Sequence, residues 1–258
     1  MDESPLIALR SKRDSTLARG LRLLKEKSID AFVTAGNTGA FISAAKINLG
    51  VFPKLLRPAL LALMPTKKKP LAVLDVGANV DVKVAHLIQF AHLGATYQIA
   101  RGIAKPSVGI LNIGSEPLKG TSELRLAYQH LKNLPNPPFR FAGNIEGKSV
   151  FDGDVDVLIT DGFTGNIFLK TAEGIANLIL DRLQARIPAS ISQEIEPQLS
   201  DLKRHLHYAE YPGALLIGVK GICIKCHGYT TPEGFINGVK GAVEFASANF
   251  LQTLEKLY

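Results

Sequence analysis

Two glycine turns, Gly36-Asn37-Thr38-Gly39 and Gly162-Phe163-Thr164-Gly165, hold the residue types best suited to chemistry in this chain. Each follows an apolar run headed by an aspartate and opens a second apolar segment with helical spacing, so each reads as strand, glycine turn, helix N-terminus. Such a turn binds anions. The first N–H groups of a helix lack internal partners, the helix dipole adds partial positive charge, and glycine lets the backbone approach a ligand closely. The register recurs, because Asp30 to Ile42 and Asp156 to Phe168 align over thirteen positions without a gap. Two copies point to a site assembled around one or more phosphoryl or carbonyl oxygens. Simply turning the chain is the other task open to these glycines.

The elements that must position the turns follow from the hydrophobic pattern. Asp14 to Lys27 predicts a basic helix, with Asp14 or Ser15 as N-cap and Leu17, Leu21 and Leu24 on one face. A strand at Ala31 to Val33 leads into the first turn and a helix from Ala40 to Leu49. Strands at Ala59 to Met64 and Leu71 to Leu74 flank Lys67-Lys68-Lys69-Pro70, which reads as a solvated hairpin tip. Leu74 runs into the loop Asp75-Val76-Gly77-Ala78-Asn79 and a helix over Val82 to His92. Val108 to Leu111 runs into Asn112-Ile113-Gly114-Ser115-Glu116, and Phe139 to Ala142 into Gly143-Asn144-Ile145-Glu146-Gly147. Beyond the second turn come a long helix from Ile167 to Arg186 and a helical hairpin around 176–208. A strand at Val219 to Cys226, the loop His227-Gly228 and a helix from Glu233 to Leu257 close the chain. Strands alternating with helices predict an α/β fold: a largely parallel sheet covered on both faces, with ligands at the carboxyl ends of its strands.

With 258 residues and 46% hydrophobic content, the chain is large enough to bury a sizeable core as one α/β domain. Its net charge of +7 favours an acidic partner. The absence of Trp, and of aromatics among the basic runs, argues against single-stranded nucleic acid. The longest apolar stretch is too short to span a bilayer, and the acidic start leads into no apolar segment, so the expected location is cytoplasmic. Leu183, Ile187, Ile191, Ile195 and Leu199 recur beside Arg182, Arg186 and Lys203, a pattern that fits helix packing or a peripheral membrane or partner contact. Cys223-Ile224-Lys225-Cys226-His227 spells a c-type haem attachment string. Its strand-like setting, the lack of a leader and the lack of any methionine besides Met1 and Met64 mark it as a coincidence of two packed or half-exposed thiols. No metal site is expected, since zinc would need a second ligand pair at suitable spacing.

Six loops in order resemble the bacterial phosphate acyltransferases of phospholipid synthesis over nearly the whole chain. They are Ala35-Gly36-Asn37-Thr38-Gly39-Ala40, Leu74-Asp75-Val76-Gly77-Ala78-Asn79, Val108 to Gly114 with Glu116 and Lys119-Gly120, Gly143-Asn144-Ile145-Glu146, Thr160 to Asn166 with Leu169-Lys170-Thr171, and Ile224-Lys225 before His227-Gly228. The resemblance implies a three-layer α/β/α sandwich like that of isocitrate and isopropylmalate dehydrogenases, usually homodimeric, with two lobes around a cleft. It implies transfer of a fatty acyl group from acyl carrier protein to inorganic phosphate, without a cofactor. The acyl phosphate then passes to a membrane acyltransferase that acylates glycerol 3-phosphate. Phosphate is itself the nucleophile in that reaction, which agrees with the absence of a G-x-S-x-G elbow.

On this resemblance Asn37, Thr38, Asn166, Lys170 and His227 are the expected catalytic residues. Asn and Thr side chains would hold phosphate or donate to the oxyanion formed at the thioester carbonyl, Lys170 would neutralise phosphate, and His227 would orient phosphate or protonate the thiolate. Lys170 as an exposed helix lysine and His227 as a structural histidine are the alternatives. Gly36, Gly39, Asp75, Asn79, Asn144, Asp161, Gly162, Thr164 and Gly165 are expected to line the phosphate and substrate site. A basic surface at Arg10, Lys12, Arg13, Arg19 and Arg22 would attract the acidic carrier. Departures are the start at Met1, after the family's first strand and Gly-Gly-Asp loop, the Pro212-Gly213-Ala214 string, Tyr229 and Thr230 after His-Gly, and Cys226. Competing readings are a non-catalytic remnant that binds carrier protein or membrane, a phosphate acetyltransferase-like enzyme using a coenzyme A thioester, and a dehydrogenase of the same fold.

Overall fold

Short apolar runs bounded by Gly, Pro and Asp are too brief for helices and become strands. The structure is a computed structural model that describes residues 12, 14–188, 195–202, 213–228, 230–248 and 250–257. The strands are β1 (Ala31–Thr34), β2 (Ala59–Met64), β3 (Leu71–Leu74), β4 (Ser107–Asn112), β5 (Arg140–Glu146), β6 (Val157–Ile159), β7 (Ala214–Ile217) and β8 (Ile222–Lys225). They form one sheet in the order β1-β8-β7-β2-β3-β6-β4-β5. Every residue of β2, β3, β4, β6, β7 and β8 is buried, as strands covered on both faces must be, whereas edge strand β1 is half-buried throughout.

The sheet is mixed, which corrects the expectation of a largely parallel one. β1 with β8, β3 with β6, β6 with β4 and β4 with β5 pair parallel. β2 pairs antiparallel with both β3 and β7, and β7 antiparallel with β8. The reason is connection length: residues 65–70 and 218–221 join their strands directly, too short for a crossover helix. Following the ladders, β1 and β8 run opposite to β3, β4, β5 and β6. Loops leaving these two groups therefore open on opposite edges of the sheet.

Helices cover both faces. On one lie α1 (Thr16–Lys25), α2 (Thr38–Leu49) and the start of α5 (Gly162–Arg186), whose Leu21, Phe41 and Leu169 pack with Leu60, Val73 and Leu158. On the other lie α3 (Val84–Ala100), α4 (Ser122–Lys132), α6 (Pro232–Ser247) and α7 (Phe250–Leu257), whose Phe90, Tyr97, Leu131, Ala242 and Phe250 pack with Leu61, Leu74 and Val157. Alternation along β2 divides the cores: Leu60, Ala62 and Met64 point one way, Ala59, Leu61 and Leu63 the other. Each fully buried Leu or Phe contributes about 1.5–3 kcal/mol.

Ser15 caps α1 as expected and buries Leu21 and Leu24 beneath it. α3 runs on to Ala100 because the residues after His92 stay buried. The single helix expected from Glu233 to Leu257 breaks after Ser247. β5 continues through Glu146, so Gly143, Asn144 and Ile145 lie within a strand rather than a loop. The lysine tip is exposed but not merely solvated. Lys67, Lys68 and Lys69 pair with Asp152, Asp154 and Asp156 at 2.7, 2.6 and 2.6 Å. Residues 195–202 are helical, while 189–194 and 203–212, the rest of the expected hairpin between Arg186 and Gly213, lie outside the described residues, as do Arg10, Arg13 and Tyr229. Among the described residues no helix is long and apolar enough to cross a membrane.

Candidate active site

The second glycine turn is held by the loop that follows β3. Asp75 is fully buried, and its carboxylate accepts from the N–H groups of Leu60, Gly77, Ala78 and Asn79 and from the Asn79 side chain, at 2.7–3.1 Å. Asn79 also donates to the Pro58 carbonyl at 2.8 Å. Burial pushes the Asp75 carboxyl up, and these donors pull it back. The loop so folded lies directly against the first turn of α5. Gly162 N–H donates to the Asn79 carbonyl at 2.7 Å, and Asn166 Nδ2 donates to the Val76 carbonyl at 3.1 Å. A Cβ on Gly165 would lie 1.9 Å from the Asp75 carbonyl oxygen, and one on Gly162 2.7 Å from that of Asn79. These glycines admit protein backbone. Asp161 caps α5 by accepting from Thr164 N–H and from the Thr164 hydroxyl, both at 2.7 Å.

The first turn is more open. Asn37 caps α2 by accepting from Ala40 N–H at 3.0 Å, and Gly36 N–H donates to Thr34 Oγ1 at 3.1 Å. Gly36, Asn37 and Gly39 are exposed and Thr38 is half-buried. This turn leaves the sheet at the same edge as the end of β8, to which it is tied by Cys226 N–H donating to the Thr34 carbonyl at 2.8 Å.

Immediately beyond β8 the charges gather. Lys170 lies eight residues past Gly162, about 12 Å along α5, which carries it from one edge of the sheet towards the other. It bonds Glu173 Oε2 at 2.7 Å, one turn further on. The buried Lys225 amine donates to the Cys226 carbonyl, and burial, together with the charge of Lys170, lowers its pKa below the ordinary lysine value. The His227 imidazole is held below its usual value by burial and then by Lys170, against an opposing pull from Glu173. Lys170 thus bonds the one carboxylate here and His227 feels its pull, while Glu173 Oε1 is buried without a hydrogen-bond partner among the described residues.

The geometry sorts the expected residues into two groups. The charge of Lys170 reaches His227, on the edge where Gly36, Asn37, Thr38 and Gly39 emerge. Asp75, Asn79, Asp161, Gly162, Thr164, Gly165 and Asn166 form a second group on the opposite edge, joined to the first through α5. Asp75 and Asn79 have their polar atoms turned onto the loop itself and the Leu60 and Pro58 backbone. Asn144 is likewise buried in β5, donating to the Glu116 carbonyl at 2.8 Å, with its Oδ1 buried and without a partner among the described residues. Sequence reasoning missed Glu173 and Lys225 as site residues. A Lys-x-x-Glu spacing on a helix and a lysine at the close of an apolar strand were the available signals.

Cys223 and Cys226 stand three residues apart along an extended chain, so they enter opposite cores. Both are buried, and burial pushes the Cys223 thiol up to about 12. Among the described residues no group of three or more His, Cys, Asp or Glu side chains is placed to hold a metal ion. A pocket of about 530 Å³, lined by Leu24, Phe52, Ile222, Phe245 and Phe250, opens at the beginnings of β1 and β8, the ends remote from His227.

Residues 1–253 match the family described as "Fatty acid synthesis protein". The phosphate acyltransferase of Clostridium tetani is 40% identical over 261 residues, covering 99% of this chain and 77% of that protein. Among solved structures, a phosphotransacetylase from Streptococcus pyogenes superposes with a TM-score of 0.61 at 16% identity, covering 94% of this chain and 70% of that one. A 4-hydroxythreonine-4-phosphate dehydrogenase from Klebsiella pneumoniae gives 0.54 at 12% identity, covering 89% and 69%. At these identities the structural likeness speaks for the fold alone.

Proposed function

The chain belongs to the fatty acid synthesis protein family, which it shares with phosphate acyltransferases, and on that premise we propose that it transfers a fatty acyl group from acyl carrier protein to inorganic phosphate. The observation that carries this reading is the Lys170–Glu173 pair at 2.7 Å, close enough to the end of β8 for the Lys170 charge to act on His227 and Lys225. A cation from the helix after the second glycine turn and a histidine from the end of β8 act on one another. Such a group suits a dianionic nucleophile and a departing thiolate.

The residues divide the work as follows. Lys170 holds phosphate by charge, and Asn37 and Thr38, emerging on the same edge, supply N–H and O–H donors for a phosphate or carbonyl oxygen. His227, kept neutral near pH 7, orients phosphate and, on taking up the proton that phosphate gives up, relays it to the thiolate. Thr164 and Asn166 line the approach along α5, with Gly162, Gly165 and Asp161 fixing that helix against the loop of Asp75 and Asn79. Val80, Ile113 and Leu118 on the loops of this second edge, and Phe163 in the first turn of α5, stand exposed, which suits an acyl chain. The reading includes a cleft between two lobes of an isocitrate dehydrogenase-like sandwich, a homodimer, a cytoplasmic location with peripheral membrane contact, and delivery of acyl phosphate to a membrane acyltransferase. A coenzyme A thioester is the second candidate donor, favoured by the structural likeness to a phosphotransacetylase.

The test is to incubate the purified chain with long-chain acyl-acyl carrier protein or acyl-coenzyme A, with and without inorganic phosphate. Free thiol is followed, and acyl phosphate is trapped with hydroxylamine. Phosphate-dependent thiol release from the carrier-bound substrate is the expected result, and release from coenzyme A alone favours the second donor. Binding of the carrier without turnover on either donor replaces the enzyme with a binding protein.

A further inference from the structure

Glu173 and Lys225 lie outside both glycine turns, and neither has the surroundings of a purely structural ion. Glu173 bonds Lys170 through Oε2, while its Oε1 is buried without a donor among the described residues. A buried carboxylate oxygen left in that state loses its hydration without a hydrogen bond in return. Lys225 is only 9% exposed, and the bond that it makes is to the neutral carbonyl of Cys226. The charge of Lys170 acts on this buried lysine, the Glu173 carboxylate is bonded to Lys170, and among the described residues no carboxylate bonds Lys225. A surface Lys170–Glu173 pair would account for neither feature. One ligand satisfies both: hydrogenphosphate brings two negative charges for the lysines and a P–OH proton for the orphaned oxygen.

Resting on the phosphate acyltransfer reading above, we infer that Lys225 is a second cation on the bound phosphate and that Glu173 is the base accepting its P–OH proton. As that proton moves to Glu173, a phosphate oxygen attacks the thioester carbonyl carbon and forms the new C–O bond. Collapse of the tetrahedral intermediate breaks the C–S bond. The proton then passes from Glu173, by way of His227 or water, to the departing thiolate. Hydrogenphosphate and thioester become acyl phosphate and thiol, and the carboxylate is restored.

Glu173→Gln keeps an oxygen for Lys170 but cannot take a proton. It is expected to lower kcat about 100-fold or more, the range of general-base catalysis, to leave the phosphate KM within about threefold, and to flatten the acid limb of the pH–rate profile. Lys225→Met is expected to raise the phosphate KM about tenfold or more by removing a charge-assisted bond, and to reduce the rise in melting temperature given by a fixed concentration of inorganic phosphate. That rise should survive in Glu173→Gln. If Glu173→Gln shows no cooperative melt, Glu173→Asp is measured instead, where reduced kcat with the acid limb retained is expected. A Glu173→Gln profile identical to that of the unmodified chain, an unreduced kcat in Glu173→Asp, or full phosphate stabilisation of Lys225→Met overturns the inference. Failure of the unmodified chain to make acyl phosphate from either donor is failure of the reaction itself. The phosphate-induced melting shift still decides Lys225 in that case.

Discussion

At the first glycine turn Gly36 and Asn37 lie exposed, and a Cβ on Gly36 would meet nothing nearer than Thr34 Oγ1 at 3.3 Å. At the second turn Gly162 and Gly165 are buried, with the backbone of Asp75 and Asn79 pressed into the space their side chains would need. Both turns cap a helix with a side-chain oxygen, Asn37 in one and Asp161 in the other. The shared local signal therefore encodes a helix start. Whether that start is left open to a ligand or closed by protein is set by what lies across it, and here that is a loop some eighty residues earlier in the chain.

The sharpest way to break the contrast is to add one methyl group to each turn. Gly165→Ala forces its Cβ onto a carbonyl held by a buried network, where overpacking against backbone has no cheap relief, and should lower stability by about 3–5 kcal/mol. Gly36→Ala should stay within about 0.5 kcal/mol. Urea melts of both variants decide it. Equal losses would mean that the two turns are closed alike.

A smaller effect is expected from the groups that organise each turn. Asp75→Asn exchanges an acceptor-only oxygen for an NH₂ group that must face backbone N–H donors, and should cost about 2–4 kcal/mol. Asn37→Ala removes one solvent-exposed cap bond and should cost about 1 kcal/mol. If Asn37→Ala loses thioester turnover without losing stability while Asp75→Asn does the reverse, the division between an open and a closed turn is sharpened.

Much of this could be read from the chain alone. β2, β3 and β6 announce themselves as apolar runs between Pro, Asp and Gly, and α1 through its leucine spacing and serine cap. Strand direction could not be read, because periodicity reports which residues are buried and says nothing of which neighbour a strand selects. β2, β7 and β8 illustrate this: three successive antiparallel pairings, β8 with β7, β7 with β2 and β2 with β3, reverse the sheet between the two glycine turns. The start of α5 was placed too late because Gly162 and Gly165 look like turn residues, and only their contact with the β3 loop shows why a helix carries them. Glu173 resembled a solvated helix position and Lys225 the end of a core strand. The Lys170–Glu173 pair on α5 comes within electrostatic reach of Lys225 on β8 only in the folded chain, and no local pattern encodes that approach.

The smallest effect concerns protons and separates the open edge from the core. Burial holds His86, His92 and His227 below the ordinary histidine value, with Lys170 a further cause for His227, whereas His92 is shifted by burial. The unfolded chain binds these protons near pH 6.5, whereas the folded chain resists them to lower pH. Between those points the unfolded state holds more protons, so stability should be complete above about pH 6.5 and fall on acidification through the depressed values. Salt distinguishes the two settings. At about 1 M the screening length falls to roughly 3 Å, so the influence of Lys170 fades and the titration of His227 should move upward. His92, packed edge-on against Phe139 with ring centres 5.2 Å apart, owes its shift to desolvation, which salt leaves in place. NMR titration of the two imidazoles at low and high salt reads this directly. Equal movement of both would place His227 in a setting like that of His92, away from the lysines that define the open edge.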